Sequence, residues 1–187
     1  MLKFRDIVKP INLDIRQEVS YQPSYFFERN YGYKIDYDVR LSDGTSLQRD
    51  FVWTLQQKQE LIISIIKGIL LPRFAAIVYE DDQKGKLKLE QDKIFKIIDG
   101  KQRLSTIQAF MNNEFPILFK GNEYFYNDFD SELKRSIWGC DLRFNIVYEY
   151  FDQKVSDEDM IRWFELINWA GTPQDKKHFE KLKNLIK

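Results

Sequence analysis

One cysteine, Cys140, and one histidine, His178, are all that the 187 residues hold of either type. A lone cysteine cannot close an intrachain disulfide, which leads us to expect an intracellular setting. Nor can this chain alone assemble a Cys/His zinc site, an HNH-type nuclease centre or a histidine-dependent triad. A metal bound only by carboxylates stays open. Net charge is missing as well. The 29 Lys and Arg residues balance 29 Asp and Glu, so no global field points to nucleic acid or a membrane surface, while a local basic patch stays open. Long apolar runs are also lacking. The most apolar stretch, Leu61 to Leu71, is broken by Ser64, Lys67 and Gly68 and is too short to span a bilayer. The charged N-terminus has no leader-like segment. The expectation is a cytoplasmic protein with no membrane partner.

What is present is a composition of 43% apolar, 31% charged and 16% aromatic residues, which belongs to a soluble globular fold. The length suits one good core with a small helical appendage. Strands are expected at 33–39, 73–80, 93–99 and 142–150, the last with Leu142, Phe144, Ile146 and Tyr148 on one face. "LSDG" at 41–44 predicts a turn, and 115–126 a small hairpin with Gly121-Asn122 at its tip. A helix should start at Thr54, where Gln57 completes a capping box, bury Leu55, Ile62, Ile65, Ile66 and Ile69, and stop at Gly68 and Pro72. Further helices are expected at 101–113, from Asp130 to about Trp138, from Ser156 through Asn168, and from Thr172-Pro173 onward. The class is α+β. We expect an α+β domain over 1–150 and a C-terminal helical extension, a shortened lobe, over 151–187.

The chemistry-bearing residues gather at one corner, "IIDGKQRLST". A helix N-terminus offers unpaired N–H groups and a positive dipole end, so it readily receives an anion. Gly100 removes a side chain that would hold a phosphate off the backbone. Arg103 can grip phosphate through its fork, Lys101 adds a point charge, and Ser105 and Thr106 add donors. Asp99 can orient Arg103, hold a divalent ion or position a water. A plainer reading has Asp99 capping the helix and Arg103 pairing with it, and residue chemistry leaves both open. The corner is neither a Walker A loop nor a dinucleotide fingerprint.

Other stretches divide the same way. In "LQRDFVW", Arg49 and Asp50 sit in irregular chain where functional residues concentrate, while Phe51 and Trp53 are expected in the core. Asn168 is expected to cap a helix in the left-handed conformation, Cys140 to be a half-buried or buried thiol without a role, and His178 to lie on a solvated face.

"LQRDFVW", "LIISIIKGILLP", "FKIIDGKQRLSTIQAF" and "FELINWAGTPQ", in this order and spacing over about residues 45–178, together resemble the large bacterial and phage family of the GmrSD-type N-terminal domain. Its hallmark reads Asp-Gly-Gln-Gln-Arg, and the resemblance implies a ParB/sulfiredoxin-like mixed sheet with packed helices. In that family the domain is associated with nucleotide binding and hydrolysis, joined to an HNH-type nuclease domain in systems that restrict modified foreign DNA. Carried over, the resemblance implies a signature site of Asp99, Gly100, Gln102 and Arg103, with Arg49 near it and Asn168 approaching from the helical lobe. It implies an NTP with Mg2+ as cofactor, Asp99 as metal ligand or water orienter and Arg103 as the counter-charge. Lys101 departs from the family's Gln and adds a charge. The sequence stops soon after "GTPQ", so we expect no nuclease half and no HNH cleavage from this chain. Two further readings stand beside nucleotide binding. One is a DNA-binding module contacting backbone through Arg49, Lys101, Arg103 and the C-terminal lysines. The other is a non-catalytic partner of a separate nuclease subunit, docking through apolar surface such as Trp163 or Trp169.

Overall fold

A computed structural model describes residues 13–27, 34–80, 94–150 and 154–169. Along them run β1 (Arg16–Tyr21), α1 (Pro23–Phe26), β2 (Lys34–Asp36), α2 (Leu55–Ile66), β3 (Phe74–Glu80), β4 (Ile94–Asp99), α3 (Lys101–Met111), β5 (Ile117–Phe119), β6 (Asn122–Tyr124), α4 (Ser131–Trp138), β7 (Leu142–Tyr150) and α5 (Asp157–Trp169). The fold is α+β. A five-stranded mixed sheet has the order β1-β7-β3-β4-β2, and β5 and β6 form a separate hairpin. β7 pairs antiparallel with β1 and parallel with β3, while β4 pairs antiparallel with β3 and parallel with β2.

Side chains alternate across a strand, so the central strands β7, β3 and β4 feed two cores. On β3, Phe74, Ala76 and Val78 face one side, where Phe26, Phe95, Phe110 and Phe144 join Ile62 and Ile65 of α2, Leu104 and Ile107 of α3 and Ile137 of α4. Ala75 and Ile77 face the other, meeting Val39, Leu47, Ile98, Val147 and, from α5, Ile161, Trp163 and Phe164. Burying one such Phe or Ile stabilises the fold by roughly 1.5–3 kcal/mol. Trp163 is therefore core and not a docking surface; the side chain of Trp169 lies outside the described residues.

Local signals are where the sequence placed them. Thr54 and Gln57 form both halves of the capping box on α2. Asp130 Oδ1 accepts from the N–H groups of Glu132 and Leu133, and the hydroxyl of Ser156 accepts from the N–H of Asp159 at 3.1 Å. Ser42 donates its N–H to Asp157 Oδ2 at 3.0 Å, tying the start of α5 to the 41–44 turn.

Differences have physical causes. β2 is shorter than the expected strand, because Asp36 Oδ1 accepts from the N–H of Asp38 at 2.9 Å and turns the chain. Leu55 and Ile69, expected in the buried stripe of α2, are 50% and 56% exposed: Leu55 is the first residue of the helix, and Ile69 lies beyond its last, Ile66, after Gly68 turns the chain with a φ of 73°. The hairpin turn is Lys120-Gly121, with φ of 50° and 80°, and Asn122 already belongs to β6. β1 has no counterpart among the expected strands. The expected helix from Thr172-Pro173, His178 and the rest of 170–187 lie outside the described residues. No helix among the described residues is long and apolar enough to cross a membrane.

Candidate functional site

β4 ends at Asp99, Gly100 turns the chain, and α3 begins at Lys101. Gly100 is obligatory here for reasons of fold. Its φ is +97°, and an added Cβ would lie 2.3 Å from Phe74 Cδ1. Gly100, with no side chain to cap with, is the N-cap of α3; Asp99 does not cap the helix.

Arg103 is held from every direction. Its Nη1 donates to the carbonyl of Pro72 at 2.5 Å, and its Nη2 donates to Asp99 Oδ2 at 2.9 Å and to the carbonyl of Arg73 at 3.3 Å. The guanidinium also lies 4.6 Å from the centre of the Phe74 ring. The side chains of Arg103 and Asp99 are 15% and 21% exposed, so the pair is largely desolvated. Burial pulls the Arg103 pKa below the usual arginine range, and the charge and hydrogen bond of Asp99 pull it back up. An arginine in that balance stays cationic at neutral pH. The plainer reading of this residue, an ion pair with Asp99, is thus a structural fact, and a cavity lies directly beside it.

That cavity has a volume of about 510 Å³ and is lined by Gln48, Arg49, Trp53, Pro72, Arg73, residues 99–103, Phe164, Ile167 and Asn168. Of the predicted site residues, it brings together Arg49, Asp99, Gly100, Lys101, Gln102, Arg103 and Asn168. Ser105 and Thr106 are not brought there. One turn into α3, their hydroxyls donate back to the carbonyls of Lys101 and Gln102, at 2.6 and 2.7 Å, and Thr106 is fully buried.

Gln102 is on the wall, but its amide is occupied by the chain. Oε1 accepts from the N–H groups of Val52 and Trp53 at 3.1 and 3.2 Å, and Nε2 donates to the carbonyl of Asp50 at 3.1 Å. It clamps the 50–53 stretch onto α3 and so positions Arg49 and Trp53. Asn168 lies within α5, not in a left-handed cap, and donates Nδ2 to the carbonyl of Phe164 at 2.7 Å. By contrast, Arg49, Arg73 and Lys101 make no side-chain hydrogen bond or ion pair among the described residues. Lys101 lies near enough to Asp38 to help lower that carboxyl's pKa.

Sequence reasoning missed Arg73, which it read only as the edge of a strand, and Gln48, Phe164 and Ile167. It also placed Phe51 and Trp53 in the core. Phe51 is 38% exposed, with Lys58 Nζ 4.6 Å from its ring centre, and Trp53 is half-buried on the cavity wall. Cys140 is half-buried, and burial first, then Asp141, pushes its thiol up to about 11, which makes it a poor nucleophile.

Magnesium was expected at Asp99. Among the described residues no three carboxylate, cysteine or histidine side chains converge, and Asp99 is the single carboxylate on the cavity wall, with one oxygen given to Arg103. This donor set does not form an all-protein cage for a divalent ion, while one carboxylate is what magnesium commonly takes from a protein when phosphates supply other ligands.

A mixed sheet with a cationic, partly apolar cavity at a strand-to-helix corner defines an α+β domain with a candidate ligand site at that corner. The chain belongs to the family described as GmrSD restriction endonuclease, N-terminal domain, which matches residues 45–187 and so covers the whole cavity wall. Membership associates it with restriction systems and phage defence. No curated protein and no solved structure matches the chain, and the ParB kinship stays what the resemblance implied.

Proposed function

We propose that this domain binds a nucleoside triphosphate in the cavity at the start of α3 and serves a restriction system as its nucleotide-dependent part. The observation that carries the reading is the meeting of Arg49, Arg73 and Lys101, none engaged by another described side chain, around one helix N-terminus. Three cations beside the positive end of α3 suit a polyphosphate. Trp53, Phe164 and Ile167 on the same wall offer apolar surface for a flat ring. The phosphate charge is countered by the chain's own cations, with no step assigned to a metal. Asp99, with Oδ2 given to Arg103, is the single carboxylate on that wall, and in a hydrolysis reading it is the group that would take the proton of the attacking water.

Isothermal titration of the protein with ATP, GTP, CTP and UTP, in EDTA and again with magnesium, tests the binding. At least one triphosphate should bind in EDTA. Inorganic phosphate released from the bound nucleotide reads hydrolysis separately. Silence with all four nucleotides under both conditions removes the reading.

A further inference from the structure

The cavity wall carries a polar group of a second kind. Gln48 is 7% exposed, and its Nε2 donates to the carbonyl of Ile98, next to Asp99, at 2.6 Å. A carbonyl can only accept, so this bond fixes which end of the amide is nitrogen and which is oxygen. The oxygen, Oε1, is then a buried acceptor with no partner. Native folds rarely leave such an atom unpaired; Gln48 is one of the residues lining the cavity, and a donor on the bound ligand is one way to pair its oxygen, an ordered water the other. Asn168, 8% exposed on the same wall, is anchored alike through Nδ2 on the carbonyl of Phe164.

A phosphate presents acceptors at neutral pH and cannot satisfy an acceptor. On a nucleotide, the donor must therefore come from the nucleoside. A base edge carries N–H groups on a flat ring whose faces leave water at little cost, and Trp53, Phe164 and Ile167 supply apolar wall for those faces. We propose that Gln48 Oε1 accepts an N–H of the nucleotide's base, so that the cavity reads the base as well as holding the phosphates. Gln48 is thereby a specificity residue, and the inference rests on the nucleotide reading above.

The test titrates wild-type protein with ATP, GTP, their 2′,3′-dideoxy forms, purine riboside triphosphate, whose base has no N–H donor, and inorganic tripolyphosphate. The better bound of ATP and GTP should exceed purine riboside triphosphate by about tenfold or more, one hydrogen bond to a buried acceptor. Its dideoxy form should bind within about threefold of it, well inside the loss expected for one bond. Gln48→Met, which keeps volume and removes the acceptor, should bring the tenfold gap to about twofold or less, with purine riboside triphosphate bound as in wild type. Gln48→Leu serves as the second variant if the first melts early. Equal wild-type affinities for ATP, GTP and purine riboside triphosphate overturn the assignment, as does a gap that survives in both variants. A loss that follows the ribose hydroxyls, or tripolyphosphate binding as tightly as any nucleotide, overturns it too while leaving a phosphate site standing. Failure of every one of these ligands to bind, together with CTP and UTP, removes the nucleotide reading itself.

Discussion

Two stretches wall the same cavity and differ in what their side chains are free to do. Residues 99–106 carry the motif, yet its side chains are largely committed to the protein. Arg103 holds Asp99 and two carbonyls, Gln102 holds the 50–53 stretch, and Ser105 and Thr106 hold their own helix. Residues 48–53, part of "LQRDFVW", and 72–73 lie outside the Asp-Gly-Gln-Gln-Arg hallmark, and from them Arg49 and Arg73 reach the cavity without a described partner. The motif, in this account, is mainly the frame, and Lys101 with the two neighbouring arginines is the grip. A residue can be diagnostic of a site without being the part that touches the ligand.

The contrast can be broken by substitution. Arg103→Ala should cost about 3 kcal/mol, because it leaves Asp99 mostly buried without its counter-charge. For a chain of this length that is a fall in Tm of roughly 6–12 °C. A melt within about 2 °C of wild type would move Arg103 from frame to grip. Gly100→Ala should cost about 2–3 kcal/mol, combining a left-handed φ with a collision on the Phe74 ring. Denaturant unfolding measures it, and a neutral result would mean that Phe74 gives way freely. Gln102→Ala should cost about 1–2 kcal/mol and speed amide exchange at Val52 and Trp53, the two N–H groups that Gln102 receives. Unchanged exchange there would show that the clamp is not what orders the stretch. Arg49→Ala, Arg73→Ala and Lys101→Ala should each stay within about 0.5 kcal/mol of wild type in stability.

Much of the frame was legible because its signals are local. The Thr54–Gln57 box, the Asp130 cap and the Ser156–Asp159 pair act over three residues, and chain spacing alone reveals them. The Asp99–Arg103 pair is one helical turn long and was visible as one of two readings. What was not legible depends on distant partners. β1 exists by pairing with β7 more than a hundred residues away, and its own alternation is weak. The Gln102 clamp spans about 50 positions, and the amide that looked like a ligand for phosphate is used on backbone. Arg73 gave no signal of its own, and Gln48 only that of its stretch "LQRDFVW"; the packing of β3, β4 and α5 brings them to one wall. Leu55 and Phe51 misled in the opposite sense, since periodicity and ring size predict burial but not which part of a helix meets the core.

The division of labour between frame and grip is most directly tested in Arg49→Ala/Lys101→Ala, titrated with the best-bound triphosphate and melted in parallel. The account predicts that affinity falls by on the order of a hundredfold while Tm stays within about 2 °C of wild type. Nucleotide bound as tightly as by wild type would contradict it.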